Sequence, residues 1–331
     1  MSLTVRVIRA VLDALDKTAR MRVGRAWDDP PLEQVLPQVK AGRLEPGLEL
    51  IRQARGDNEL RGLRVEQLAT AGAAHAEALG RLAGDDADGL LWLGAARIQQ
   101  AWAIRGAFRA KYVGGDRFAR FWEVLSSAAD PLQQAAEALP DDPVPWDHLQ
   151  WHGIGMQSGR KELDRIWTEL IARDPRLYVG HYSRAQALCE KWYGSDEELL
   201  TFVRGVTATA PAGDPVTAMV PLAHFEIVWS GMDETERPAQ EVLAAYFGDS
   251  AVADSLVEAA DKWLDGSRPH PRALDAMHLF GAAFYFGGYL TRAQSLLAGL
   301  GRRMPENLPW AALSVMPARG YAQVRRELGL S

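Results

Sequence analysis

The chain has 331 residues, 47% of them apolar. That is ample for a continuous core spanning about two average domains or one repeat array, and it excludes a disordered tail protein. The net charge of −6 argues against a general nucleic-acid binder, whose phosphate contacts need clustered Lys and Arg, and a single cysteine, Cys189, can form no internal disulfide and no CxxC pair.

From Met1 to Ala26, six basic residues (Arg6, Arg9, Lys17, Arg20, Arg22, Arg25) accompany Val5, Ile8, Leu12 and Leu15 on one helical stripe. Residues 1–30 are therefore expected to form a basic amphipathic helix that caps the first exposed face of a helical array, in preference to lying on lipid. No apolar stretch approaches the roughly 18 to 20 residues that cross a bilayer, and no signal-peptide block opens the sequence. A cytoplasmic protein without a membrane partner is the expectation.

Residues 31–140 read as divergent helical hairpins. His75 shares a stripe with Leu68, Ala71, Leu79 and Leu82 and is expected to be partly buried. The acids of Asp85-Asp86-Ala87-Asp88-Gly89 suggest a calcium loop, but with Gly89 at the sixth position the first and twelfth are Gly84 and Ala95, so helix capping explains them. Further stripes run through Leu91, Ala95, Ile98 and Trp102, then Phe118, Phe121, Trp122 and Leu125.

Residues 141–331 continue in the same period. Stripes comprise Leu163, Ile166, Trp167 and Leu170; Tyr178, Tyr182, Ala185, Cys189 and Trp192; and Val216, Met219, Val220, Ala223 and Ile227. Apolar residues recur three and four apart throughout, while alternating strand patterns are almost absent, so the fold class is all-α. The intervals between the breaks at Asp142, Asp174, Asp214 and His270 widen along the chain, and the last holds an extra helix near Ala251–Leu264. Gly153 to Gly159 approaches a dinucleotide fingerprint, yet a helix precedes it where a strand is required, so it reads as a turn.

The most regular unit runs from Leu274 to about Glu306. Gly281 and Ala293 are small where two helices must approach, Phe280 and Phe284 are large where the first fills the gap, Gly288 turns the chain, Leu297 and Leu300 continue the second stripe, and Pro305 ends it. This pattern resembles the tetratricopeptide repeat, and it extends more loosely over Pro143–Pro175. The segment Lys191-Trp192-Tyr193-Gly194-Ser195-Asp196-Glu197-Glu198 is similar to a W-G-S-x-E-E box of uncharacterised bacterial proteins with such hairpins. Its own physics suffices: Gly194 closes one helix, Ser195 caps the next, and Glu198 completes a capping box. The resemblance implies an irregular tetratricopeptide-like αα superhelix whose first helices line a concave groove. Asp275, His278, Ala282 and Tyr285 would be groove-side in the Leu274 unit and supply no clamp for the acidic tails of chaperones.

His148, His152, His181 and His224 fall on helices assigned as the first of successive hairpins. His148 and His152 are four apart and share a face, but Leu149 and Gln150 leave no HExxH general base and no third ligand follows by spacing, so no metal or other cofactor is expected. The candidate binding groove comprises His148, Trp151, His152, His181, Arg184, Lys191, His224 and Glu226. Aromatic and Arg side chains among them suit anchors for a peptide or partner protein. Cys189 lies on an apolar stripe, where a thiol fills space. With no nucleophile elbow, P-loop or glycosidase pair, the expected function is a non-catalytic interaction protein. The alternative is a ligand-sensing regulator or enzyme with a small-molecule or metal site in the His148–His224 groove. An uncovered hydrophobic face at either end of the array would make a homodimer.

Overall fold

The computed structural model describes Asp16 and residues 20–105, 115–232, 235–266 and 268–330. The protein is all-α: among the described residues the sole strands are Arg22–Val23 (β1) and Arg303–Met304 (β2), two residues each, paired in parallel. The chain divides into two compact units, Asp29–Gly194 and Met1–Asp28 with Ser195–Ser331. The boundary expected at residues 140 and 141 falls inside the first unit. Of the expected N-terminal helix, all but Asp16 and residues 20–30 lies outside the described residues, and Arg22–Val23 there is extended.

The Asp29–Gly194 unit begins with α1 (Pro30–Lys40), started by Asp29, whose carboxylate accepts from Leu32 N at 3.1 Å. It continues through α2 (Glu45–Arg52), α3 (Asn58–Gly72), α4 (Ala76–Ala83), α5 (Ala87–Arg105), α6 (Gly115–Ser126), α7 (Ala129–Ala138), α8 (Val144–Met156), α9 (Arg160–Arg173) and α10 (Tyr178–Ala187). Leu90–Ala96 are buried without a break on α5, and this all-round apolar helix is packed by α3, α4, α6 and α7. An ion cluster ties the surrounding helices to its start. The carboxylate of Asp88, fully buried, lies 2.7 Å from Arg61 and 2.6 Å from Arg55, and Arg61 also holds Asp142 at 2.5 Å. Sequence reasoning gave these acids to capping alone. Asp86 does cap, accepting from Gly89 N at 3.2 Å, but Asp88 is a buried ion-pair partner. At the far end, α8 packs on both α9 and α10. Ile154, Leu163 and Ala187 form the seam there, flanked by Trp151, Trp192 and Tyr193.

The stripe from Tyr178 to Trp192 does not stay helical. Helix α10 stops at Ala187, and the chain folds back so tightly that a Cβ on Gly194 would sit 2.1 Å from the Leu188 carbonyl oxygen. Cys189 is buried in that turn and its thiol donates to Ala185 O at 3.4 Å, in keeping with a filler.

The second unit holds α11 (Asp196–Thr209), α12 (Met219–Gly231), α13 (Ala239–Phe247), α14 (Ser250–Leu264), α15 (Ala273–Phe286), α16 (Leu290–Ala298), α17 (Trp310–Leu313) and α18 (Pro317–Glu327). Ser195 caps α11 as expected, accepting from Glu198 N at 3.2 Å. The extra helix anticipated near Ala251–Leu264 is α14. Phe225, Phe247 and Phe286 cluster, with Phe247 and Phe286 stacked, Phe286 edge-on to Phe225, and the Phe225 and Phe247 ring centroids 4.6 Å apart. Helices α15 and α16 form the predicted hairpin. Gly281 is small because a Cβ there would meet Leu297 at 2.6 Å, and Gly288, with φ +81°, turns the chain. The second helix ends earlier than Pro305: α16 stops at Ala298, and Arg303–Met304 leave to pair with Arg22–Val23.

Candidate anion-binding cleft

The eight residues proposed as a groove are divided between the units, with His148, Trp151, His152, His181, Arg184 and Lys191 in one and His224 and Glu226 in the other. His148, His181, Arg184, His224 and Glu226 are buried, Trp151 and His152 half-buried, and Lys191 alone exposed. The spacing was read as a groove face because a helical stripe does not reveal whether neighbouring helices cover it. Trp151 packs against Tyr182, and Arg184 reaches Asp164 at 2.5 Å while lying over the Trp167 ring. His278 and Ala282, taken as groove-side in the Leu274 unit, are completely buried.

The buried histidines divide by how their nitrogens are met. Trp310 Nε1 donates to His278 Nδ1 at 3.0 Å, so His278 Nε2 carries the proton and donates to Arg303 O at 3.0 Å. Around His224, Ser255 Oγ donates to Val252 O at 2.7 Å and so accepts from His224 Nε2 at 3.2 Å, which leaves Nδ1 to accept from the Tyr246 hydroxyl at 3.0 Å. Both rings are neutral and satisfied. Burial holds His278 down to about 3, with the Arg303 carbonyl opposing and Arg325 assisting, and holds His224 down to about 4, with Arg204 assisting. In the other unit, His148 is likewise pushed down to about 4 by burial and His152 is lowered, and the Nε2 atoms of both are buried without a hydrogen-bond partner. Among the described residues, no group of three or more His, Cys, Asp or Glu could hold a metal ion.

Open space with converging polar groups lies elsewhere, in a cleft of about 900 Å³ that runs along α18 within the second unit. Pro317 at the first helical position fixes the start of α18. From there Arg319, Gln323, Arg326 and, past the helix, Leu330 follow at intervals of four, three and four, which is one face. Arg302 enters from the turn after α16, Tyr285 from α15, and Gln240 from the first turn of α13, whose N-cap, Pro238, offers no side-chain acceptor. Arg325 also borders the cleft but is buried, donating to Leu297 O at 3.0 Å, so its charge is fixed while its side chain is committed to the fold. Among the described residues, four arginines and no Asp or Glu line this cleft, in a chain of net charge −6.

Two further features fix the electrostatics. Asp16 accepts from Ala318 N at 3.2 Å and Arg319 N at 2.8 Å, so the N-terminus of α18, beside the cleft, already holds a carboxylate. Glu327, exposed and outside the lining itself, accepts from two lining residues, the Tyr285 hydroxyl and Gln323 Nε2 at 2.8 Å, bonds that hold its carboxyl below the usual range. The side chains of Arg302 and Arg326 are exposed and make no hydrogen bond or ion pair with a described residue. Sequence reasoning missed the site. The signal that could have found it is the Arg319-Gln323-Arg326 spacing on one helical face. No protein-family model, curated protein or solved structure matches the chain.

Proposed function

We propose that the chain is a non-catalytic interaction protein, built of tetratricopeptide-like hairpins, that takes an anionic segment of a partner protein in the cleft along α18. The observation that carries this reading is a lining of four arginines without a described acid, in which the side chains of Arg302 and Arg326 are exposed and make no hydrogen bond or ion pair with a described residue. Exposed guanidinium groups suit bidentate recognition of carboxylates. The uncapped start of α13 adds backbone N–H groups at the positive end of a helix dipole. Hairpin stacking within each unit supports the repeat reading, with α8, α9 and α10 in one and α15 and α16 in the other.

Titration calorimetry with an oligoglutamate peptide tests this reading. Saturable binding that weakens with salt and is lost in the Arg302→Glu, Arg319→Glu, Arg326→Glu variant is expected. Equal binding by that variant, or none by the native chain, would refute it. The second reading, a small-molecule or metal site, draws on the unpartnered Nε2 atoms of His148 and His152. Two nitrogens are fewer than the three protein ligands of a catalytic zinc site, and a zinc titration that leaves the unfolding temperature unchanged would retire it.

A further inference from the structure

Whether each polar group in the cleft donates or accepts narrows the occupant, on the premise that the cleft is the binding site. Tyr285 on α15 and Gln323 on α18 both line it, and both bond the carboxylate of Glu327, one on each oxygen. An ionised carboxylate can only accept, so the Tyr285 hydroxyl spends its one proton there and Gln323 turns its amide nitrogen that way. Both states hold at neutral pH: burial and the bond to Glu327 push the Tyr285 hydroxyl up, and the bonds from Tyr285 and Gln323 hold Glu327 down. What remains is a pair of acceptors, the Tyr285 oxygen and the Gln323 carbonyl oxygen, which no described donor meets. Arg302 and Arg326, the unengaged guanidinium groups of the same cleft, can only donate. The cleft therefore suits a ligand that brings an anion for the arginines and hydrogen-bond donors for the acceptor pair. An acidic peptide carries both, with a main-chain N–H at every residue except proline. Polyphosphate and the backbone of DNA bring acceptors alone.

We infer that Tyr285 and Gln323, fixed as acceptors by Glu327, bind main-chain N–H groups of the acidic segment while Arg302 and Arg326 take its carboxylates. Glu327 is then a positioning residue. It touches no ligand, and it holds both neighbours in the orientation that suits a peptide and leaves an anion without N–H groups unrewarded. No set spacing of acids along the segment is required, since the main chain offers a donor at each residue, and an acidic segment dense in proline would bind poorly.

Two fluorescein-labelled hexaglutamates test this, one ordinary and one methylated at every internal amide nitrogen, with anisotropy read at low salt. The ordinary peptide is expected to bind about tenfold more tightly, the worth of one or two net hydrogen bonds. Methylation also alters the peptide's own conformational preferences, so the ratio of the two affinities is read again in variants whose folding is checked by thermal unfolding. In the Tyr285→Phe, Gln323→Leu variant the ratio should fall to about one, and in Gln323→Leu alone, at an exposed position, by about threefold. Glu327→Ala removes a negative charge near the arginines and should strengthen both peptides, yet it should shrink the ratio about threefold by freeing Tyr285 and Gln323 to turn. A merely electrostatic or structural role for these residues would leave the ratio where it was. A ratio of one in the native chain, or one that persists in all three variants, overturns the inference; binding that is still lost in Arg302→Ala, Arg326→Ala then leaves the cleft reading standing. If neither peptide binds in an arginine-dependent way, the cleft reading itself falls. Displacement of the ordinary peptide by inorganic polyphosphate at a lower concentration of charge than by unlabelled hexaglutamate would also overturn the inference, by assigning the cleft to anions without N–H groups.

Discussion

Individual residues reveal what each position is being asked to do, and Asp88 is the sharpest case. Its carboxylate is fully buried between Arg55 and Arg61, and the hydrogen bond it accepts raises the affinity of the Arg55 guanidinium for its proton. Removing Asp88 leaves Arg61 paired with Asp142 and Arg55 in water, so the cost is that of the charged hydrogen bonds lost, about 1.5–3 kcal/mol. Asp88→Ala should therefore lower stability by about that amount, read as a fall in urea midpoint at unchanged slope. A loss below about 1 kcal/mol would mean that the cluster is solvated and contributes only as a surface pair. Gly281 makes the complementary test of packing. A methyl there would press on Leu297 at 2.6 and 2.7 Å, and Gly281→Ala should cost about 1–3 kcal/mol, the usual penalty for overfilling a core. Were the variant as stable as the native chain, α15 and α16 would have to part without loss.

Helices and their ends carry the next layer. Asp16 satisfies two backbone donors at the start of α18, more than three hundred positions away in sequence, by means no local pattern could disclose. Asp16→Ala should destabilise the first turn of α18 by about 1 kcal/mol, seen as faster amide exchange at Ala318 and Arg319. Unchanged exchange there would show that water serves those donors equally well. The same contrast explains what the sequence could disclose. Caps and periodicity are local, so Ser195 before α11, the helix at Ser250–Leu264 and the close approach at Gly281 could all be read in advance. Coverage is not local. The helices bearing His148 and Arg184 have the same period whether those residues face solvent or a neighbouring helix, and the structure buries both. The arginine cleft draws on α13, α15 and α18 at once, and of these only the spacing along α18 was visible in the sequence.

At the scale of the whole molecule, three histidines on three different helices are buried as neutral rings, and together they set an acid limit. A solvated imidazole takes a proton near 6.5, whereas His148 and His224 are held down to about 4 and His278 to about 3. Between those values the unfolded chain binds protons that the native chain refuses, so stability is full above pH 6.5 and falls as the pH drops toward 4. Each refused proton costs about 1.4 kcal/mol per pH unit, and three make a slope of about 4 kcal/mol per unit between pH 4 and 6. His148 lies in one unit and His224 and His278 in the other, so the loss over that window is about 3 kcal/mol in the first and about twice that in the second. Urea midpoints measured between pH 6 and 5 should therefore fall, with a slope that approaches three protons taken over both units. His148→Met isolates one contribution. Since the ring's Nε2 has no hydrogen-bond partner to lose, the variant should remain within about 1.5 kcal/mol of the native chain at pH 7 while its acid slope drops by one proton. An acid slope that stays at three in that variant would place the His148 imidazole in contact with water and remove it from the acid-sensitive set.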